Sequence, residues 1–329
     1  LTVIGTSDGK GDKAMRLDDL PESGNIEDRR EEGGGFGGGG GGFGGGLPMR
    51  GGLGIGTIAV LGLIGWALGI DPSLLIGGAE MASRNQPHVE QPGGRPRQTG
   101  APQDDIGRFV ARVLGATEVV WKDIFAKQGQ TYRAPTLVIY KGTTDARCGG
   151  VARSSMGPFY CPSDQKVYLD TSFFDQIATR FGGCDAGSKS CQFAQAYVIA
   201  HEIGHHVQQL FGILTKAHQA QQAAGGVEAN RIQVRVELEA DCFAGLWAKQ
   251  ENDLLVRQGK QPFIEAGDVD AALRTAAAIG DDTLQKRAQG RVVPDSFTHG
   301  TSEQRKRWFD TGFKAGTVAS CNTFAATQL

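Results

Sequence analysis

The hydrophobic pattern divides the chain into stretches of different period. Residues 1–50 show none, whereas residues 51–70 (GGLGIGTIAVLGLIGWALGI) form a continuous apolar run without charge, with Thr57 as its polar side chain and Arg50 and Asp71 at its borders. As a helix this run spans about 30 Å, the thickness of a bilayer core, which predicts one transmembrane helix. The competing reading, a buried core helix, sits poorly with the seven glycines it contains. Residues 71–103 carry Pro87, Pro92, Pro96 and Pro102 among Gly, Gln and Arg, the composition of a linker. From Asp104, a predicted N-cap, Ile106, Phe109, Val110, Val113, Leu114, Trp121, Ile124 and Phe125 recur at helical spacing. TLVIY (136–140) and KVYL (166–169) predict strands, and most of the chain after Thr171 has a helical pattern. The expected fold is therefore α+β over residues 104–329, mostly helical with a small sheet.

Composition changes this picture locally. Of 50 glycines, 12 fall between residues 33 and 46, and residues 15–32 are charged and poor in apolar side chains. Neither part has enough apolar surface to offset the entropy of ordering, so 1–50 is expected to be a disordered segment. Leu1 is not Met, and Met15 opens a stretch like a translation start, so residues 1–14 are expected to be an upstream extension. Arg29, Arg30 and Arg50 precede the apolar run, and the first basic residue after it is Arg84. The positive-inside rule then places the N-terminus in the cytoplasm and everything after residue 71 outside it. All six cysteines lie between 148 and 321, on the side expected to be oxidising. Proximity suggests Cys148–Cys161 and Cys184–Cys191, leaving Cys242 with Cys321, one of about 15 connectivities. Gly52-x-x-x-Gly56 and Gly65-x-x-x-Gly69 have the spacing by which membrane helices approach, offering a homodimer contact. With 34 Lys+Arg against 36 Asp+Glu, nothing in the charge points to nucleic acid.

The chemistry is concentrated at His201-Glu202-Ile203-Gly204-His205. On a helix the two histidines lie one turn apart on one face and can bind one zinc ion, with Glu202 beside them as general base. Ala196, Ile199, Ala200, Ile203, Val207, Leu210 and Phe211 make the apolar stripe that would anchor such a helix. His206 is turned about 100° away and is expected to make a supporting or surface contact. A catalytic zinc needs a third protein ligand. The extended metzincin pattern is excluded, because Gln208 and Phe211 stand where it requires Gly and His. Glu237, four residues before Asp241 on one helix face, is the candidate ligand, and Asp241 the carboxylate that orients a ligating histidine; an exposed acidic face is the alternative. Ala240, Ala244 and Gly245 suit close packing of this helix against the first.

A Glu-x-x-x-Asp helix after His-Glu-x-x-His resembles the gluzincin metallopeptidases, particularly the HtpX and CAAX-prenyl endopeptidase group. The strings CGGVARSSMGPFYCPSDQKVYLD (148–170), AYVIAHEIGHHVQ (196–208), RVELEADCFAGLWA (235–248) and HGTSEQRKRWFDTGF (299–313) are similar to the bacterial neutral zinc metallopeptidases of the YpfJ-like type, from Met15 to the C-terminus. The resemblance implies a zincin-like domain with Zn2+ as cofactor and a protein or peptide as substrate, tethered to a bacterial inner membrane. In HtpX-like enzymes a His followed six positions later by Arg comes after the third ligand, a spacing His299 and Arg305 share; Gly300 departs from the usual Pro. His299 would then support the oxyanion, or alternatively cap the helix near Thr301. Strand 166–169 would pair with an extended peptide if it is an edge, and is a core strand otherwise. The expected function is a membrane-anchored zinc metalloendopeptidase with an external catalytic domain. The alternatives are a non-proteolytic zinc-binding envelope assembly factor and a cell-wall peptide amidase.

Overall fold

A computed structural model describes residues 16–32, 98–148, 150–179, 188–264, 267–278, 280–283, 286 and 292–329. Its five-stranded sheet starts before the apolar run. Strand β1 (Ile26–Asp28) pairs antiparallel with β2 (Gln98–Thr99) and parallel with β3 (Thr136–Tyr140), which pairs parallel with β7 (Lys166–Asp170). Between β3 and β7 in sequence, β4 (Thr143–Ala146) and β5 (Gly150–Arg153) form a separate hairpin, and β6 (Phe159–Cys161) closes the main sheet as the antiparallel neighbour of β7. Strand 166–169 is therefore interior, and the edges are β2 and β6. Side chains alternate across the sheet as strand geometry requires. Leu137, Ile139, Val167 and Leu169 face the main core, while Val138, Tyr140 and Tyr168 pack with Ala146, Ala152 and Cys161 on the other side.

Helix α1 (Asp105–Lys127) begins at Asp104, whose carboxylate accepts from the Gly107 N–H at 3.1 Å. Its apolar face buries Phe109, Val110, Val113, Leu114 and Trp121, but Ile106 at its first turn is exposed. The rest is helical: α2 (Phe173–Thr179), α3 (Lys189–Leu210), α4 (Ile213–Ala224), α5 (Gly226–Arg257), α6 (Asp268–Ala278) and α7 (Ser302–Ala315). Helix α5 forms the spine, with α3 on one side and α7 on another. Glycines set the α5–α7 approach: a Cβ at Gly245 would strike the Phe309 carbonyl, and one at Gly312 the Cys242 carbonyl. Gly245 thus serves α7, not the α3 contact that the sequence suggested. Cys148–Cys161 and Cys242–Cys321 are disulfides as expected. Cys191 is bonded too, and its expected partner Cys184 lies outside the described residues.

The fold corrects the disordered reading of 1–50 over residues 16–32. Leu17, Leu20 and Ile26 enter the main core. The charges around them are matched at long range, where composition cannot register them. Buried Arg29 bonds Glu27, Thr144 Oγ1 and the Asp145 carbonyl, and Glu27 also accepts from Lys166 at 2.7 Å. Burial works against the Glu27 carboxylate, yet these cations hold its pKa down to about 2. Arg30 grips Asp28 and Asp104 together. Residues on both sides of the apolar run are hydrogen-bonded in one sheet. A single crossing over 51–70 would separate β1 from β3, so this pairing is at odds with a cytoplasmic N-terminus opposite an external domain. Among the described residues no helix is long and apolar enough to cross a membrane. The run 51–70, with its two glycine spacings, the remainder of the linker and residues 1–14 lie outside the described residues.

Candidate metal centre

The predicted motif lies in the middle of α3, whose start is capped by Ser188 through the Cys191 N–H. The helix is held by its apolar stripe, with Ala196, Ile199, Ala200, Ile203 and Val207 all buried. His206, beside the motif, is buried as well: it accepts from the Tyr160 hydroxyl at 3.1 Å and donates Nε2–H to the Arg133 carbonyl at 2.7 Å. These bonds tie α3 to strand β6. Burial lowers the His206 pKa to about 4, so it is neutral.

Helix α5 passes close by because Gly204 lies against Ala240, where a Cβ would come within 3.0 Å of the Ala240 carbonyl oxygen. This brings Glu237 to the histidines. Its Oε2 lies 3.2 Å from His201 Nε2 and 3.6 Å from His205 Nε2, and the three candidate ligand atoms are all within 4.8 Å of one another. Tetrahedral zinc with bonds of about 2.0–2.1 Å separates its ligands by roughly 3.3 Å, so the set fits that ion. The other carboxylate oxygen, Oε1, accepts from Gln233 at 2.9 Å, which leaves Oε2 to face the histidines. Burial opposes the charge on Glu237, but His205, His201 and His299 outweigh it and keep the pKa well below the usual carboxylate range. Glu202 is buried beside the pair, and its charge acts on His205.

Asp241 is where the sequence placed it. Its Oδ1 accepts from His201 Nδ1 at 2.8 Å and from the Tyr197 hydroxyl at 2.5 Å. Arg305 closes the network from α7, donating Nε–H to Asp241 Oδ2 at 2.8 Å and Nη2–H to Oδ1 at 2.9 Å and to Tyr197 at 3.1 Å. Burial disfavours the Asp241 carboxylate, but Arg305 and His201 bring its pKa to about 2. The acidic pair is therefore an interior feature, and the exposed-face alternative is excluded.

His299 does not cap α7. Thr301 does, in a capping box with Gln304. His299 is instead held by Asp281, whose Oδ2 accepts the N–H groups of Thr298, His299 and Gly300 at 2.7, 2.6 and 3.1 Å and whose Oδ1 faces His299 Nδ1 at 3.3 Å. The ring is half exposed. Its partial desolvation disfavours the charged form, but Asp281 and Glu237 raise its pKa. Gly300 rests on Val234 and Leu238 of α5, which sets this loop against the helix carrying Glu237. A cavity of about 340 Å³ lies between the start of α5 and this loop, lined by Val227, Val234, Val292, Phe297 and Thr301 among others.

Sequence reasoning missed Gln233, Tyr197, Gln208, Glu239 and Asp281. Gln233 sits four residues before Glu237 on the same face and was legible from helical spacing; Asp281 comes from a distant segment and carried no local signal.

A family model described as "putative neutral zinc metallopeptidase" matches residues 15–324. The uncharacterized protein YpfJ of Escherichia coli (strain K12) is 44% identical over 311 residues, 94% of this chain and 99% of the relative. The uncharacterized protein Rv2575 of Mycobacterium tuberculosis (strain H37Rv) is 39% identical over 271 residues, 80% of this chain and 85% of the relative. No solved structure matches significantly.

Proposed function

Because the chain belongs to this family of neutral zinc metallopeptidases, which implies zinc as its metal, we propose that it is an endopeptidase whose metal is held by His201, His205 and Glu237. The observation that carries the reading is the convergence of two imidazole nitrogens and one carboxylate oxygen, each pinned from behind by a partner of its own. Zinc in such a site supplies a Lewis acid that polarises a carbonyl and lowers the pKa of water. Glu202 takes the proton of the attacking water and delivers it to the leaving amine. His299, its Nδ1 turned to Asp281, presents Nε2 to the negative charge that develops on the carbonyl oxygen. Arg305 keeps Asp241 ionised, and Arg305 and Tyr197 together aim it at His201. The apolar cavity begins at Val234, one turn before Glu237, and offers room for an apolar side chain of the peptide.

The disulfides support a location outside the cytoplasm for the catalytic domain, and pairing of β1 with β3 carries residues 16–32 to the same side. Membrane attachment through 51–70 stays part of the proposal only in a form that returns the chain to the side it left.

The test uses the full chain, oxidised and zinc-loaded, with an unfolded protein and with purified cell-wall peptide as separate substrates. Chelator-sensitive hydrolysis of the protein is expected, and Glu202→Gln should retain one zinc per chain while losing activity by about 10²–10⁴-fold. Consumption of the cell-wall peptide alone would favour an amidase. A folded, zinc-loaded chain that cuts neither would favour the assembly factor.

A further inference from the structure

The two histidines are fixed by different devices. His201 has a carboxylate, Asp241, as the acceptor for its Nδ1–H. His205 faces a neutral amide: its Nδ1 lies 2.9 Å from Oε1 of Gln208, three residues further along α3. An amide can turn either end toward a ring nitrogen, so its own partners decide what it offers. Gln208 is completely buried, and its Nε2 donates to the Val236 carbonyl at 2.8 Å and to Glu239 Oε2 at 2.9 Å. Turned over, the amide would set its oxygen 2.8 Å from the Val236 carbonyl oxygen, a contact between two acceptors, and would withdraw the N–H that Glu239 Oε2 accepts. Its Oε1 is thereby committed to His205 and can only accept. Nδ1 must then carry the proton, and the lone pair is left on Nε2, the nitrogen that faces Glu237 Oε2.

We propose that Gln208, oriented by buried Glu239 and the Val236 carbonyl, is the positioning residue of the second histidine ligand, selecting the tautomer in which His205 binds metal. The proposal rests on the zinc reading of the site and deepens it. It also accounts for Glu239, which lies two residues after Glu237, is turned away from it on the helix, and would otherwise be a buried carboxylate without a role.

The test is zinc affinity of the full chain, measured by competition with a chromophoric chelator, with the absorption spectrum of the cobalt-substituted protein as a second readout. Gln208→Met keeps the volume and removes the acceptor, and is expected to weaken zinc binding by about 10–100-fold and shift the cobalt bands. Gln209→Met, one residue along and outside the relay, is the control and should bind as wild type does. Wild-type affinity and spectrum in Gln208→Met would overturn the proposal while leaving the zinc site standing. Equal zinc uptake by wild type and His205→Ala would remove the zinc reading and the proposal together. Should Gln208→Met fail to fold, nitrogen-15 NMR of the zinc-loaded wild type decides. A downfield His205 Nδ1 proton protected from solvent exchange is expected, and a rapidly exchanging one would overturn the assignment.

Discussion

His299 shows how much of a residue's role depends on its partners. Three backbone N–H groups and one ring nitrogen converge on Asp281, so the loop 298–300 is built around that carboxylate and the imidazole direction follows from it. His299→Ala should lower kcat/KM by about 10–10³-fold, as loss of an oxyanion donor does. Zinc affinity should stay within about threefold of wild type, because His299 is not among the converging ligand atoms. A large loss of zinc affinity would make it a ligand instead. Glu251 tells a different story at the same scale. It is buried with Oε2 unpaired among the described residues, and burial raises its pKa to about 7 from an ordinary 4.5. The folded state then holds this proton more tightly than the unfolded chain. Its contribution is greatest below the ordinary value and is lost as pH rises from about 4.5 to about 7. Glu251→Gln should flatten that slope and exceed wild-type stability at pH 8 by on the order of 2–3 kcal/mol. Urea unfolding at pH 5 and pH 8 reads both effects, and equal slopes in the two proteins would contradict the assignment.

Among the elements, β1 has the largest consequence for its length. It is only three residues, yet it fills the edge of β3 in parallel register and delivers Ile26 to the core. A chain beginning at residue 98 loses both, and takes Glu27 from Lys166 and Arg30 from Asp104. Such a truncation should unfold at least about 10 °C below the full chain, or without a cooperative transition. A synthetic peptide of residues 16–32 should raise its midpoint. An unchanged melting curve would mean that β1 is dispensable. The active helix α3 was legible because its motif, stripe and length agree. Strand β7 was legible as a strand but not as an interior one, because two apolar runs of similar length do not say which lies at the edge.

At the scale of the molecule, one spine helix serves two purposes. Helix α5 brings Glu237 and Asp241 to α3 and carries Cys242, whose bond to Cys321 ties the C-terminal segment to the same helix. The candidate metal ligands and their outer partners therefore sit at the principal helix crossings. Asp241 is bonded at once to α3 through His201 and Tyr197 and to α7 through Arg305, so the relative placement of three helices is fixed where the chemistry needs it. The disposition of the N-terminal part belongs to this scale too. The arginines ahead of residues 51–70 suggested a single oriented crossing, whereas the β1–β3 pairing keeps both flanks of that run in one sheet.

The sequence by itself determined the parts whose information is local. The His201–His205 motif, the candidate third ligand Glu237 with Asp241 one turn on, and the start of α1 follow from spacing within a helix; of the described disulfides, Cys148–Cys161 follows from proximity along the chain and Cys242–Cys321 from what proximity left over. Tertiary structure decided whatever depends on a partner far away. It drew residues 16–32 into the sheet, where Thr144, Asp145, Lys166, Asp104 and Arg112 bond their charged side chains from distant segments. It also gave Glu239 to Gln208 and Asp281 to His299. Helical periodicity reports which face a side chain occupies, but the group opposite that face is set by packing between segments.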